Sequence, residues 1–252
     1  MRRVWAVAAV LATMAVLVAA ARGGSSDPQL RVSAAASLHS AFTKYAAAAF
    51  PDEQVHQSFA GSDQLAAQIE QGARPDVFAS ANTRYPAKLY AKGLVEKPVL
   101  FARNRLVLAT PAGSSIHSLT DAARPGASIV LGDPDVPVGS YTRRVLGRLP
   151  AAERTSILDN VRSQEPDVSS IAGKLTEGAA DAGFVYITDV RASGGAIRAI
   201  PLPASLQPDV AYGIAVVSGT PNRDLATRFV HGLIANGSGA RALRAAGFLP
   251  RP

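Results

Sequence analysis

The sequence contains no cysteine. A disulfide framework, a thiolate metal site and a cysteine nucleophile are therefore all excluded. Its four histidines, His39, His56, His117 and His231, stand far apart and make no metal-ligand spacing. The single tryptophan, Trp5, lies near the N-terminus, so no site further along can rest on one. Charged residues make up only 18% of the chain and apolar residues 48%, a balance that excludes a disordered chain and suits a folded α/β or α+β protein. Several motifs are missing as well: G-x-S-x-G, H-E-x-x-H, G-x-x-x-x-G-K, and G-x-G-x-x-G after a strand. The 26 basic residues against 19 acidic ones give a net charge of +7, enough to help attract anions but not a nucleic-acid stripe.

There is one long hydrophobic run. It extends from Val4 to Ala21, broken only by Thr13, behind Arg2-Arg3 and ending in Ala19-Ala20-Ala21. This pattern predicts an export signal over residues 1–21, cut near Arg22, with a linker over 22–29. The alternative is an uncleaved anchor, since about 18 apolar residues just span a bilayer. No cysteine is available for lipid attachment.

Beyond the linker, short apolar runs alternate with helix-period segments, which predicts an α/β architecture. Strands are expected at Leu30–Ala35, Gln54–Phe59, Asp76–Ser80, Leu106–Thr110, Ser128–Leu131, Gly183–Tyr186 and Val210–Val217. Helices are expected at Leu38–Phe50, around Leu65–Ile69, and at Ser115–Ala123, Ser140–Leu149, Val168–Glu177, Asp224–Ala235 and Ala240–Ala246. With 252 residues the chain is long enough for two lobes, yet no linker divides it cleanly. Two lobes would need a chain that crosses between them more than once, at Asn104–Thr110 and Pro208–Val217.

Small polar residues recur just after a strand and just before a helix: Ser37, Ser62, Val138-Gly139-Ser140, and the segment before Val168. Such turns place free backbone N–H groups where a helix dipole favours negative charge. They equally fit ordinary serine caps, and capping competes for the same N–H groups. Arg143-Arg144 and Arg241/Arg244 read as solvated helix faces, and Asn236-Gly237-Ser238 as a loop between helices. His39 sits two residues from Ser37, a spacing at which helix side chains point apart, so a nucleophile–base pair is poorly supported.

The ordered set of local sequences resembles a known family. It runs through Ala34-Ala35-Ala36-Ser37-Leu38, Ser58-Phe59-Ala60-Gly61-Ser62, Leu65-Ala66-Ala67-Gln68-Ile69, Gly72-Ala73 and Asp76-Val77-Phe78-Ala79-Ser80-Ala81. It continues through Asn104-Arg105-Leu106-Val107-Leu108, Asp133-Pro134-Asp135-Val136-Pro137-Val138-Gly139, Asp181-Ala182-Gly183-Phe184-Val185-Tyr186 and Ala246-Gly247-Phe248. From Leu30 to Phe248 the chain is similar to the periplasmic molybdate-binding proteins of molybdate ABC transporters.

The resemblance implies a two-lobed, type II periplasmic binding fold: lobe I from residues 30–105 and 213–252, lobe II from 106–212. It implies a tetrahedral oxyanion, molybdate or tungstate, held between the lobes by neutral donors. Ser37 and Ser62 match two serines that give hydroxyl and backbone donors from lobe I. Val138 and Val168 match backbone donors from lobe II, and Tyr186 matches a tyrosine whose hydroxyl completes the cage. No cofactor, no metal-cation ligand and no catalysis are expected. The implied partner is an ABC permease, which would be the membrane contact unless the leader stays as an anchor; a monomer on the outer side of the cytoplasmic membrane is expected. Two departures stand out. Gly61 occupies a position that is often serine, and Asp63 follows Ser62, where an acid on the helix surface would be harmless. Rival readings are the same fold tuned to sulfate, thiosulfate or a small organic anion, and a secreted hydrolase using Ser37 or Ser62.

Overall fold

The computed structural model describes residues 29–235 and 237–251. The expected signal segment, the linker as far as residue 28, and Asn236 of the expected loop lie outside them.

Among the described residues ten strands form two five-stranded sheets. The first contains β1 (Gln29–Ala35), β2 (Gln54–Ala60), β3 (Val77–Ser80), β4 (Val99–Asn104) and β10 (Val210–Val216), in the order β2-β1-β3-β10-β4. The second contains β5 (Leu106–Pro111), β6 (Ile129–Gly132), β7 (Val161–Glu165), β8 (Ala182–Tyr186) and β9 (Ile197–Pro201), in the order β7-β6-β8-β5-β9. Each sheet has three parallel strands followed by two that pair antiparallel. Central strands β3, β6 and β8 are buried along their whole length, as strands covered on both faces must be.

Helices α1 (His39–Ala49), α2 (Ser62–Glu70), α3 (Arg84–Ala91), α9 (Arg223–Ile234) and α10 (Ser238–Ala246) accompany the first sheet. The second has α4 (Leu119–Ala122), α5 (Pro137–Leu146), α6 (Ala151–Asp159), α7 (Val168–Thr176) and α8 (Ile187–Ala192). Among the described residues no helix is long and apolar enough to cross a membrane. The aromatic rings of Phe42, Tyr45, Phe50 and Phe229 pack with centroids 4.8–5.6 Å apart under the first sheet. Burying each side chain contributes roughly 1.5–3 kcal/mol.

The chain passes between the sheets twice. Only Arg105 separates β4 from β5, and the return runs from Pro201 to Val210. The two crossings are tied together: Gln207 accepts from the Leu106 N–H and donates to the Leu106 carbonyl, both at 3.1 Å.

Some expectations need correction. Val210 pairs with Asn104, so the boundary expected at residue 213 falls inside β10, and Val210–Tyr212 belong to the first sheet. The helix expected over Ser115–Ala123 is only four residues, because extended Ser118 starts it by accepting the Asp121 N–H at 3.0 Å. The helix expected from Ser140 starts three residues earlier, at Pro137, whose fixed φ and missing N–H suit a first helical position. Arg143 is not a solvated face. Its guanidinium donates to the carbonyls of Gly132 and Gly139 and to Gln164, clamping the turn between β6 and α5.

Candidate functional site

The strand-to-helix turns that drew attention in the sequence gather at the carboxyl ends of the parallel strands, where ligands bind in open α/β sheets. Ser37, Ser62, Val138, Val168 and Tyr186 all line one cavity between the two sheets, with a volume of about 10 Å³. That is far below the ~300–1,000 Å³ of typical organic-ligand pockets. The cavity therefore suits a compact ion better than an extended molecule.

Ser37 lies in a short 3-10 turn, Ala36–Leu38, between β1 and α1. Its Oγ does not cap a helix; it lies 2.9 Å from Tyr212 Oη. Ser62 is the first residue of α2, and its Oγ accepts the Ala81 N–H at 3.0 Å. With that lone pair used, the Ser62 proton is free to donate into the cavity. Of the two readings of these serines, the structure disfavours simple capping.

The helix starts around the cavity agree. Gly61 before α2 and Val136 before α5 supply no side-chain cap, so the first N–H groups of both helices keep their donor capacity. At α5, Pro137 has no N–H, which leaves Val138 and Gly139 as the foremost donors. Gly139 has to be glycine, since a Cβ there would lie 2.0 Å from the Asp133 carbonyl. At α7, Asp167 caps by accepting from the Ser170 N–H at 2.8 Å and the Ser170 hydroxyl at 3.2 Å. The Val168 N–H, one position after the cap, lies ahead of that bond and stays free for the cavity.

Tyr186, at the end of β8, is 1% exposed, and its hydroxyl has no hydrogen-bond partner among the described residues. Burial, together with nearby Tyr212 and Tyr141, pushes this hydroxyl well above its ordinary pKa, so it remains a proton donor. An unpartnered buried hydroxyl costs about 1–3 kcal/mol, which a bound acceptor would offset.

Among the described residues no lysine or arginine lines the cavity, and the one carboxylate that does, Asp167, is occupied as a cap. Asp63 is not the exposed acid the sequence suggested. It is the second residue of α2 and half-buried, and its Oδ1 has no hydrogen-bond partner among the described residues. Burial raises its pKa, and the N–H groups of Asp63 and Gln64 pull it back. It lies beside the cavity rather than in its lining. The four histidines are exposed, and His39 packs edge-on against Phe59 rather than serving Ser37 as a base.

Contacts across the mouth join the two halves. Tyr85 Oη, on α3, donates to the Asp135 carbonyl at 2.6 Å, and Arg84 Nη2 reaches the same oxygen at 3.2 Å. The sequence reading missed this pair, as it missed Asp167, Pro166 and Tyr212. Only Asp167 left a local trace, the cap spacing of Asp167 to Ser170.

A cleft between two topologically similar α/β halves, rimmed by open helix starts, defines a protein with the two-lobed periplasmic binding fold. The chain belongs to the bacterial extracellular solute-binding protein family, whose profile matches residues 30–249. It is 38% identical over 223 residues to the molybdate-binding protein ModA of Mycobacterium tuberculosis, covering 86% of this chain and 83% of that protein. To ModA of Haemophilus influenzae it is 31% identical, covering 79% and 82%. Among solved structures it is similar in fold to the Azotobacter vinelandii periplasmic molybdate-binding protein, with a TM-score of 0.78 at 21% identity, covering 88% of this chain and 100% of that one.

Proposed function

We propose that this protein is an extracytoplasmic solute-binding protein that captures molybdate, and tungstate with it, and delivers it to an ABC permease without catalysing a reaction. The carrying observation is the convergence of uncharged donors from both halves on one small cavity: Ser37 and Ser62 from the first, Val138, Val168 and Tyr186 from the second. The relationship to the ModA proteins supports molybdate as the anion and the permease as the partner. Function outside the cytoplasmic membrane fits the family and the leader sequence.

Burying a dianion is prohibitive without donors, whereas a shell of N–H and O–H groups replaces its hydration. Hydrogen bonds to a charged group contribute roughly 1.5–3 kcal/mol each, so five supply about 7.5–15 kcal/mol, the same order as the ~8 kcal/mol of a micromolar complex. The lining disfavours hydrogen phosphate, whose own O–H needs an acceptor. Sulfate meets the same donors, so the size of the cage must separate it from molybdate. Contacts from both lobes favour the closed form, which is the form a permease would recognise.

Isothermal titration with molybdate is expected to give saturable 1:1 binding, displaced by tungstate and poorly by sulfate, thiosulfate or phosphate. The Ser37→Ala, Ser62→Ala double variant should lose at least ~100-fold in affinity. Unchanged affinity there would remove the cage. Labelling of either serine by a fluorophosphonate would favour a hydrolase instead.

A further inference from the structure

One buried polar chain leads from the strands that cross between the sheets to the cavity. Asn104, the last residue of β4, is 4% exposed, and its Oδ1 accepts the Arg105 N–H at 2.9 Å. Its Nδ2 has two protons and two oxygen neighbours: Thr188 Oγ1 of α8 at 2.9 Å and Tyr212 Oη of β10 at 3.3 Å. Tyr212 is fully buried, and its other neighbour is Ser37 Oγ at 2.9 Å.

Counting protons fixes the direction of this chain. An amide nitrogen only donates, so Tyr212 Oη accepts from Asn104. The single Tyr212 proton then needs an acceptor, and among the described residues the one within reach is Ser37 Oγ. Were Ser37 to donate to Tyr212 instead, the Tyr212 proton would be buried without a partner, at a cost a packed interior does not tolerate. Ser37 therefore accepts, and its own proton is left for the cavity.

We infer that Tyr212 and Asn104 are positioning residues that compel the Ser37 hydroxyl to act as a donor, and so make the cavity select fully deprotonated oxyanions over those that carry a proton. The inference rests on the anion-binding reading above and adds a specificity device at the hinge. Ser62 is held in the same sense by the Ala81 N–H. With Tyr212 in place, the proton of each serine finds its acceptor in the ligand, so a P–OH or S–OH group facing either serine would set two protons against each other and leave one without a partner. Without its hydroxyl, Ser37 can turn and accept.

The test is Tyr212→Phe in the full-length protein, titrated with sodium molybdate and with inorganic phosphate at pH 7, where phosphate carries a proton. Molybdate affinity should fall about 10-fold, and the molybdate-to-phosphate affinity ratio should fall by at least as much. In a Ser37→Ala background, Tyr212→Phe should have little further effect on molybdate, because its action passes through that hydroxyl. Asn104→Leu, which removes the donor that sets the direction but leaves Tyr212, is the second variant and should lower the same ratio. A merely structural role predicts additive losses and an unchanged ratio, and either result overturns the inference. Failure of the unaltered protein to bind molybdate would instead overturn the functional reading.

Discussion

The Pro166 carbonyl oxygen lies where a side chain on Gly61 would begin. A Cβ built on Gly61 would sit 2.5 Å from that oxygen and 2.7 Å from Asp63 Oδ1. Gly61 precedes α2 on the first half and Pro166 precedes α7 on the second, so this contact is one measure of how closely the lobes meet. Serine at this position would add a hydroxyl and at the same time hold the halves apart.

Gly61→Ser is therefore expected to weaken molybdate binding in this chain. The added hydroxyl could contribute at most one hydrogen bond, about 1–3 kcal/mol, whereas opening the cleft lengthens every bond that spans it. Affinity should fall ~10-fold or more with little change in thermal stability. Small-angle scattering should show the variant with molybdate nearer the open radius. Tighter binding by the variant would mean that the lobes accommodate the side chain without losing contact.

Tyr186→Phe separates binding from stability. The hydroxyl is buried without a protein partner, so removing it should leave the ligand-free protein as stable or slightly more so. Molybdate affinity should drop by about 10- to 100-fold, the value of one hydrogen bond to a charged group. Calorimetric titration and a melting curve on the same sample read both effects. A variant that melts much lower yet binds normally would place the hydroxyl in the fold rather than in the cage.

The strands legible in the sequence were those whose apolar runs are short, continuous and bounded by turn residues, such as β1 and β8. Strands β4, β7 and β9 were not legible. Each lies at an edge of its sheet, and β7 reads Val-Arg-Ser-Gln-Glu, with Arg162 and Gln164 exposed. Helix α3 carries Pro86 in its first turn, which reads as a breaker until the helix start is known. The five cavity residues came from the resemblance to a family, because periodicity locates a turn without saying which turns meet. Tyr212 illustrates the remainder. It stands 175 positions from Ser37, and as an apolar-looking residue in a buried strand it gives no local sign that its hydroxyl reaches the cavity.

Asp189 should give folding a pH dependence of definite sign. Burial pushes its carboxyl from an ordinary 3.8 up to about 7, against the N–H groups of Tyr186 and Asp189 itself, which favour the charge. The folded form thus holds this proton more tightly than the unfolded chain. The group's contribution to stability is full below about pH 4, declines as pH rises to about 7, and is flat above. Asp189→Asn keeps an oxygen to accept the Tyr186 N–H, now at 2.9 Å, and has no charge to bury. Urea unfolding at pH 5, 6, 7 and 8 should show the variant gaining on the unaltered protein at each step up to 7 and holding that advantage at 8. A difference between the two that does not change with pH would mean that Asp189 ionises as freely in the folded protein as in the unfolded chain, and that the helix start it caps offsets the whole cost of its burial.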